Sequence, residues 1–261
     1  MNVDTIVAEK AEVSTMIHCG SQAVTLYDVA AAPLPESTGT FVPVPHFDVL
    51  CELTDQVHER GWEFYEPNTE KQYKIWLSKN GLRMAAYTIV QIPGLHHKDG
   101  QSAIGITNGN DRGFALSGAA GGYVWICDNT ALAGAIKVRE IHSRKLNLRE
   151  LISGLLDPIP AYTERMYNWW DRMQDAKCDA DHGIALLAKA VETKALPIAG
   201  FMSARGEWLK AYDNANPKIA YGGTAWALHQ AVTGEYRELG INRNHDYALQ
   251  LDRLMHAEFG K

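Results

Sequence analysis

The sequence predicts an α+β fold: an N-terminal helix, an antiparallel meander sheet and a helical C-terminal half. Apolar residues first recur every three or four positions, over residues 46–60. The period changes to two over residues 62–142, in segments separated by glycine-rich turns, and helical spacing returns from Asn147 onward. Strands that come first and helices that come later are typical of an α+β arrangement.

The first third of the chain supplies an extended segment and the first helix. Residues 1–45 are rich in small residues and proline, and a strand is predicted over Ala23–Val29. An amphipathic helix is predicted over His46–Arg60, because apolar and acidic side chains alternate there with helical spacing. Gly61 follows at a position that suits a left-handed C-cap.

Short connections predict that the middle of the chain forms an antiparallel meander. Asn80-Gly81 is typical of a type I′ hairpin turn, and Asp99-Gly100 marks a second hairpin. Connections of this length cannot contain crossover helices. The predicted strands are Trp62–Glu66, Tyr73–Leu77, Leu82–Ile92, Ala103–Thr107, Phe114–Ser117, Tyr123–Cys127 and Ile136–Ile141.

Helices are predicted throughout the C-terminal half. Asn147 and Glu150 form a variant of the capping box at the start of the first, and Asp157-Pro158 ends it. The apolar stripe of residues 162–173 fits a buried helix face, or a groove for a partner helix. Further helices are predicted over His182–Thr193, Ser203–Tyr212, Thr224–Leu239 and Asn244–Phe259. We expect one α+β domain over residues 1–261, made of an extended segment (1–45), a helix with the sheet (46–145) and a helical part (146–261).

Composition argues for a globular protein and against a membrane or secreted one. The chain has 261 residues, of which 46% are hydrophobic, so it can bury a sizeable core. No apolar run is long enough to span a bilayer, and the N-terminus lacks the pattern of a signal peptide. The four cysteines lie far apart, which disfavours a disulfide framework and a zinc ribbon. We expect a cytoplasmic protein of a prokaryotic host cell, with no membrane partner.

Charge is distributed unevenly along the chain. The net charge is −6, yet residues 71–145 carry ten basic and four acidic side chains, whereas residues 1–70 carry two basic and twelve acidic ones. A basic block of this kind indicates an anionic partner. The alternative is that the basic middle packs against the acidic N-terminal segment, within one subunit or between two.

Cationic and aromatic residues are interleaved in the predicted strands, as binding of single-stranded nucleic acid requires. Cations neutralise phosphates, and aromatic faces stack on bases. Lys74 and Trp76 share one face of their strand, and Tyr73 lies on the other. The alternative is that the rings belong to the core and the lysines solvate a sheet edge. The candidate nucleic-acid-binding residues are Lys71, Lys74, Trp76, Lys79, Arg83, Arg112, Lys137, Arg139, Arg144 and Lys145.

Catalytic and metal sites are weaker candidates. Cys127 and His142 form a nucleophile–base pair only if their side chains touch; otherwise Cys127 is a small buried hydrophobe. His96-His97 with Asp99 lacks a suitably spaced third metal ligand, and Thr107–Gly113 matches no phosphate-binding loop. We therefore predict no catalytic residue, no metal and no cofactor, and favour a binding protein over an enzyme.

An ordered set of segments carries a resemblance to a known family. The segments are Phe41–His46, Ile106–Arg112 with Phe114–Leu116, Val124–Asn129, Arg139–His142, and Thr224–Leu228 with Ala231 and Thr233. Over residues 37–257 the chain resembles phage and plasmid proteins that contain the domain of unknown function 932. The resemblance implies a setting among DNA-processing genes of mobile elements, but no reaction. At the level of fold alone the layout also resembles single-strand annealing recombinases, which implies a homo-oligomer.

Two functional hypotheses follow. The first is a non-enzymatic, DNA-associated phage or plasmid protein that binds or anneals single-stranded DNA through a basic sheet face. The alternative is a protein-binding module that modulates a host defence or replication factor, with the acidic residues 1–70 as the contact surface.

Overall fold

The computed structural model describes residues 21–66, 68, 71–124, 129–131, 136–213, 222–236, 239 and 241–260, and it confirms the α+β class. Four strands that follow one another along the chain pair with their neighbours to form the centre of the sheet, and every pairing is antiparallel. These strands are β3 (Lys74–Ser78), β4 (Arg83–Gln91), β5 (Gly100–Gly109) and β6 (Leu116–Val124). The predicted meander is therefore confirmed.

The N-terminal segment adds a strand that is shorter than predicted. β1 (Ser21–Val24) pairs with β3, and the chain then turns into a short helix, α1 (Leu26–Ala30). The strand predicted over Ala23–Val29 ends early because Thr25 and Asp28 form a capping box. The Thr25 hydroxyl accepts from the Asp28 backbone N–H, and the Asp28 carboxylate accepts from the Thr25 backbone N–H.

Three short strands complete the sheet at its edges. β2 (Glu63–Phe64) pairs with β4. β7 (Asn129–Ala131) and β8 (Lys137–Glu140) pair with the end and the beginning of β6, respectively. Edge strands of this length leave short rows of unpaired backbone groups, which limits edge-to-edge association.

β6 is one continuous strand, whereas the sequence predicted two short strands, Phe114–Ser117 and Tyr123–Cys127, separated by a glycine-rich turn. Residues 125–127 lie outside the described residues. The glycines do not make a turn; they allow a helix to approach the strand closely. A Cβ atom on Gly122 would lie 2.5 Å from Cζ2 of the Trp170 indole, well inside van der Waals contact.

The β3–β4 hairpin also differs from the predicted two-residue turn. Four residues separate the strands, and of the two central positions only Gly81 has a positive φ, at 68°. Asn80 instead uses its side chain: the carboxamide oxygen accepts from the Ser78 hydroxyl at 2.7 Å and from the Leu82 backbone N–H at 3.2 Å. Such local bonding is the reason that asparagine favours turns.

The two faces of the sheet carry different side chains. The first face packs against α2 (His46–Glu59) and α3 (Leu148–Leu156), which confirms the predicted first helix. Its core side chains include Ile75, Met84, Ile104, Ile106 and Leu116. The opposite face, here called the second face, carries small buried residues flanked by larger rings: Ala85, Ala103 and Ala119, with Trp76, Tyr87 and Tyr123.

The C-terminal half is helical, as predicted. Its remaining helices are α4 (Ile159–Asp175), α5 (Ala180–Glu192), α6 (Phe201–Tyr212), α7 (Ala225–Thr233) and α8 (Ile241–Phe259). The predicted helix over Thr224–Leu239 ends at Thr233 and continues as a 3-10 turn. The apolar stripe of residues 162–173 belongs to the helical core, where Met166, Trp169, Trp170 and Met173 are buried. Within the described part of the chain, no helix is long and apolar enough to cross a membrane.

Candidate nucleic-acid interface

The turns of two hairpins and the connection that follows β8 meet at one end of the sheet. Antiparallel pairing places Arg83, the first residue of β4, opposite Gly109 at the end of β5. Leu116, the first residue of β6, lies opposite Glu140, the last residue of β8. We call this end the hairpin end; it comprises residues 78–83, 109–116 and 139–146.

Six of the ten candidate nucleic-acid-binding residues lie at the hairpin end. Arg83 is partly buried, forms an ion pair with Asp111 and stacks over the Phe114 ring at 4.4 Å from the ring centre. The other five are exposed, and no ion pair to them is found among the residues that the structure describes. We call these five residues the basic rim: Lys79, Arg112, Arg139, Arg144 and Lys145.

The remaining four candidates lie away from the hairpin end. Lys71 and Lys74 lie at the opposite end of the sheet, before and at the start of β3. Trp76 lies midway along β3, and Lys137 is the first residue of β8; both are on the second face. The Lys137 ammonium donates to the Asp246 carboxylate at 3.2 Å, which offsets its charge. The ten candidates therefore do not form one continuous stripe.

The second face does not offer an open stacking surface. The strand register confirms that Lys74 and Trp76 share this face and that Tyr73 lies in the core on the other. Tyr87 and Tyr123, however, are buried, and Trp76 is only partly exposed. The Lys74 ammonium lies 5.8 Å from the centre of the Tyr87 ring, so it already makes a cation–π contact within the protein.

A buried polar cluster adjoins the basic rim under the first face. His46 begins α2, and its Nε2–H donates to the Gly81 carbonyl at 3.1 Å while Nδ1 accepts from Nδ2 of Asn108 at 2.9 Å. Burial lowers the pKa of His46 to about 4, so the ring is neutral near pH 7. This tautomer fits both hydrogen bonds.

The orientation of Asn108 follows from its second hydrogen bond. Its Nδ2 also donates to the Val44 carbonyl at 2.9 Å, and a carbonyl can only accept. Asn110, which immediately follows β5, holds the same residue: its Nδ2 donates to the Val44 carbonyl at 2.8 Å, and its Oδ1 accepts from the Val44 N–H at 3.1 Å. Two asparagines thus attach the segment before α2 to the end of β5.

His142 completes the cluster from the connection after β8. Its carbonyl accepts from the Val42 N–H, and its ring stacks on Phe41 with 5.5 Å between ring centres. Burial lowers the pKa of the His142 imidazole, and the nearby Val42 carbonyl opposes this shift without meeting hydrogen-bond geometry. Both ring nitrogens of His142 and Oδ1 of Asn108 are buried without a hydrogen-bond partner.

Arg112 connects the basic rim to this cluster. Its guanidinium carbon lies 5.4 Å from the centre of the Phe41 ring, which in turn stacks on His142. The Arg112 backbone has a φ of 63°, in the left-handed region that non-glycine residues adopt at a cost. Backbone strain of this kind concentrates at functional sites.

Exposed apolar side chains lie beside the same elements. Ile141 is 64% exposed immediately before His142, and Phe47 is 38% exposed immediately after His46. Leu34 is 51% exposed and follows Pro33, the residue that packs against Gly81 in the β3–β4 turn. The hairpin end therefore combines cations with apolar surface.

Comparison with known proteins places the chain in a family. Residues 34–257 match the family model described as a domain of unknown function, DUF932. The chain belongs to this family. No curated protein and no solved structure matches this DUF932 chain.

Three of the segments that carry the DUF932 resemblance meet at the hairpin end. Residues 41–46 supply Phe41 and His46, residues 106–112 supply both asparagines and Arg112, and residues 139–142 supply His142. The sequence pattern does not show that these segments meet, because their contacts link residues more than sixty positions apart. The sequence signal that points to the site is that three of the segments shared with the family contribute residues to it. The segment over residues 224–228 lies elsewhere, in the buried α7.

The structure describes the candidate metal site fully but the candidate catalytic pair only in part. Cys127 lies outside the described residues, so the contact with His142 that a nucleophile–base pair requires stays a hypothesis. His97 accepts from the Asp99 backbone N–H at 3.1 Å and contacts the Asp171 carboxylate at 3.2 Å, so both ring nitrogens have partners. Over the described ranges, no group of three His, Cys, Asp or Glu side chains could hold a metal ion.

Proposed function

We propose that the protein binds single-stranded DNA through the basic rim, as a non-enzymatic, DNA-associated protein of a phage or plasmid. One observation carries the proposal: five exposed cations from three separate segments converge on one end of the sheet. Such a cluster of like charges is favourable only when counterions or an anionic ligand neutralise it.

The carboxylates of the hairpin end leave a basic excess. Asp111 is engaged by the partly buried Arg83. The exposed carboxylates of the adjoining segments are Glu140 at the end of β8, Asp48 and Glu150 in the first turns of α2 and α3, and Glu36 two residues after Leu34. The five cations of the basic rim outnumber these four carboxylates, so a polyanion is attracted to this end.

Apolar surface beside the rim favours a single strand over a duplex. Unpaired bases bury their faces on apolar and aromatic side chains, whereas a duplex presents mainly phosphates. Leu34, Phe47 and Ile141 are the exposed apolar residues next to the rim. A strand that follows the cations along its phosphates can lay its bases on these side chains.

We place the interface at the hairpin end rather than on the second face. Tyr87 and Tyr123 are buried on the second face, and Lys137 is paired there with Asp246. A homo-oligomer that sets several hairpin ends side by side would extend the basic rim into a longer track, which would strengthen binding to a long strand.

The experiment compares two triple variants with wild-type protein. One carries Arg112→Ala, Arg144→Ala and Lys145→Ala in the basic rim. The matched control carries Arg165→Ala, Lys177→Ala and Lys189→Ala, which removes three exposed cations from the helical half. Binding of a labelled single-stranded oligonucleotide is measured by fluorescence anisotropy over a range of salt concentrations.

The rim variant is expected to bind weakly and to flatten the plot of log affinity against log salt by about 2 units, since each phosphate contact to a single strand contributes about 0.7. The control variant is expected to keep the wild-type slope. Absence of binding by wild-type protein at low salt, or equal weakening by both variants, overturns the proposal.

The alternative, a protein partner held by the acidic residues 1–70, has weaker support in the described residues. Glu52 and Glu59, on the exposed side of α2, already bind Arg149 of α3 at 3.3 and 2.6 Å. Part of the acidic charge is therefore neutralised by ion pairs within the protein. A host protein that the rim variant still captures after nuclease treatment would favour this alternative.

A further inference from the structure

The chain contains two Asn-Gly pairs, Asn80-Gly81 and Asn108-Gly109. Asparagine is a chemically labile residue, and a following glycine leaves the next peptide nitrogen free of steric hindrance. Asn80 is exposed in the β3–β4 turn, whereas Asn108, near the end of β5, is 1% exposed. The structure therefore holds the same reactive pair in two different surroundings.

Two donors point at the side-chain carbonyl of Asn80. Its Oδ1 accepts from the Ser78 hydroxyl at 2.7 Å and from the Leu82 N–H at 3.2 Å. The Ser78 oxygen accepts in turn from the Arg83 N–H at 3.0 Å, which strengthens the hydroxyl as a donor. The hydrogen bond to Leu82 also folds the Asn80 side chain back over the peptide that contains the Gly81 nitrogen.

We propose that Asn80 is a deamidation site in the folded protein, with Ser78 and Leu82 as its oxyanion donors. The Gly81 nitrogen attacks Cγ of Asn80 and loses its proton to water, and the two donors stabilise the negative charge that forms on Oδ1. The Cγ–Nδ2 bond then breaks, and Nδ2 takes up a proton from water and leaves as ammonia. Water hydrolyses the resulting succinimide and leaves an aspartate or an isoaspartate at this position.

One hydrogen bond opposes the reaction. The Gly81 N–H donates to the Ser78 carbonyl at 2.8 Å and closes the turn, so this bond must open before the nitrogen attacks. The turn lies at the end of a hairpin, and such ends open locally while the rest of the sheet stays folded. Reaction at Asn80 therefore requires a local opening and no unfolding of the protein.

Asn108 lacks the features that favour reaction at Asn80. Its Nδ2, the group that would leave, donates to the Val44 carbonyl and to His46 Nδ1, both at 2.9 Å. Its Oδ1 is buried and has no hydrogen-bond partner among the described residues, so no donor would stabilise an oxyanion there. Gly109 belongs to the β4–β5 ladder. We expect Asn108 to react only when the protein unfolds.

Deamidation at position 80 changes the hairpin end. The new carboxylate directly follows Lys79 and lies three residues before Arg83, so it reduces the positive charge of this end. An isoaspartate also adds one atom to the main chain, which shifts Gly81 relative to His46, the donor to its carbonyl. The effect on DNA binding rests on the proposed function, whereas the reaction itself does not.

The test follows both Asn-Gly pairs in one sample. Wild-type protein is incubated at mildly alkaline pH, and peptide mass spectrometry measures the conversion of Asn80 and Asn108 over time. The same protein in urea is the reference in which both pairs are unfolded. Ser78→Ala removes one donor to Oδ1, and Ser78→Thr is the matched control that keeps the hydroxyl. Thermal unfolding checks that both variants are folded.

In native protein Asn80 is expected to convert at least about tenfold faster than Asn108, whose reaction requires unfolding, while the two convert at similar rates in urea. Ser78→Ala should slow the conversion of Asn80 by about tenfold, the effect of one hydrogen bond to a developing charge. Ser78→Thr should restore the wild-type rate. Conversion of both pairs in urea but of neither in native protein overturns the inference, and this comparison needs no variant. Faster conversion of Asn80 in folded Ser78→Ala also overturns it.

The consequence for DNA binding is measured with Asn80→Asp, which keeps an acceptor for both donors and adds the charge of the product. It should bind the labelled oligonucleotide severalfold more weakly than freshly prepared wild-type protein at low salt, where the added charge is least screened. Equal binding by the two proteins overturns the effect on the hairpin end. The proposed function fails separately, when no oligonucleotide binds wild-type protein, because mass spectrometry reads the reaction without DNA.

Discussion

The carboxamide nitrogen of Asn108 donates to Nδ1 of His46 at 2.9 Å, which joins the end of β5 to the first residue of α2. The same imidazole donates from Nε2 to the Gly81 carbonyl in the β3–β4 turn. One buried side chain therefore joins a turn, the end of a strand and a helix at the hairpin end, beside the basic rim.

Replacement of His46 by alanine should destabilise the protein by about 2–3 kcal/mol, because it leaves the Asn108 amide and the Gly81 carbonyl without a partner in a buried site. Unfolding in denaturant, followed by circular dichroism, measures the change. His96→Ala is the control, since His96 is exposed in the loop between β4 and β5. It should change the free energy of unfolding by less than about 0.5 kcal/mol. Similar losses from both substitutions would contradict the role of His46.

Stability should fall as the pH drops below neutrality. Burial lowers the pKa of His46 and of His229 to about 4 each, whereas an unfolded histidine titrates near about 6.5. Between these values the unfolded state binds more protons, so the free energy of unfolding decreases with decreasing pH and is unaffected above about pH 7. Each histidine should remove about 2 kcal/mol by about pH 5.

Denaturant titrations at several pH values test this dependence. His46→Gln should be less stable at neutral pH but should lose about half of the pH-dependent decrease that these two histidines cause. An unchanged dependence in that variant would show that His46 is not held neutral by burial.

Release of Arg83 should strengthen DNA binding. Arg83 is neutralised by Asp111, whose other carboxylate oxygen accepts from the Gly113 N–H at 3.0 Å. Asp111→Asn keeps an acceptor for Gly113 and removes one negative charge from the hairpin end. Affinity for a single-stranded oligonucleotide should rise severalfold at low salt, and the gain should disappear at high salt, where charge interactions are screened. A gain that is independent of salt would argue against an electrostatic origin.

Two glycines in neighbouring helices should respond to alanine in opposite directions. A Cβ on Gly183 in α5 would lie 2.3 Å from the buried indole of Trp208 in α6, so Gly183→Ala should cost about 1–3 kcal/mol or more through overpacking. Gly206, within α6, has nothing within 4 Å of the corresponding position. Gly206→Ala should therefore stabilise the helix by about 0.5–1 kcal/mol. Thermal unfolding of both variants checks the pair, and a stabilised Gly183→Ala variant would refute the close α5–α6 packing.

Local periodicity was sufficient to predict most of the fold. The helix at His46 and the order of the central strands follow from spacing that neighbouring residues determine. Glycine misled the prediction in β6, because Gly122 is needed for contact with Trp170, and that requirement comes from a helix almost fifty residues later in the chain. The strand predicted over Ala23–Val29 ends instead at Val24. The reason is local, because Thr25 and Asp28 form the capping box that begins α1.

The candidate site was predictable only in its charges. Lys79 and Arg112 lie in hairpin turns, and antiparallel pairing alone brings such turns to one end of a sheet. The burial of Tyr87 and Tyr123, which moves the proposed interface away from the second face, depends on packing that the strand pattern does not contain. The contact of His46 with Asn108 likewise depends on tertiary structure, because sixty-two residues separate the two side chains.

Lysine acetylation in the presence and absence of a single-stranded oligonucleotide tests the location of the interface most directly. Peptide mass spectrometry compares lysines at the hairpin end (Lys79, Lys145), at the opposite end of the sheet (Lys71, Lys74) and in the helical half (Lys177, Lys189). We expect the oligonucleotide to protect Lys79 and Lys145 and to leave the other four unchanged. Protection of Lys71 and Lys74 with continued modification of Lys79 and Lys145 would contradict the proposal that the hairpin end binds DNA.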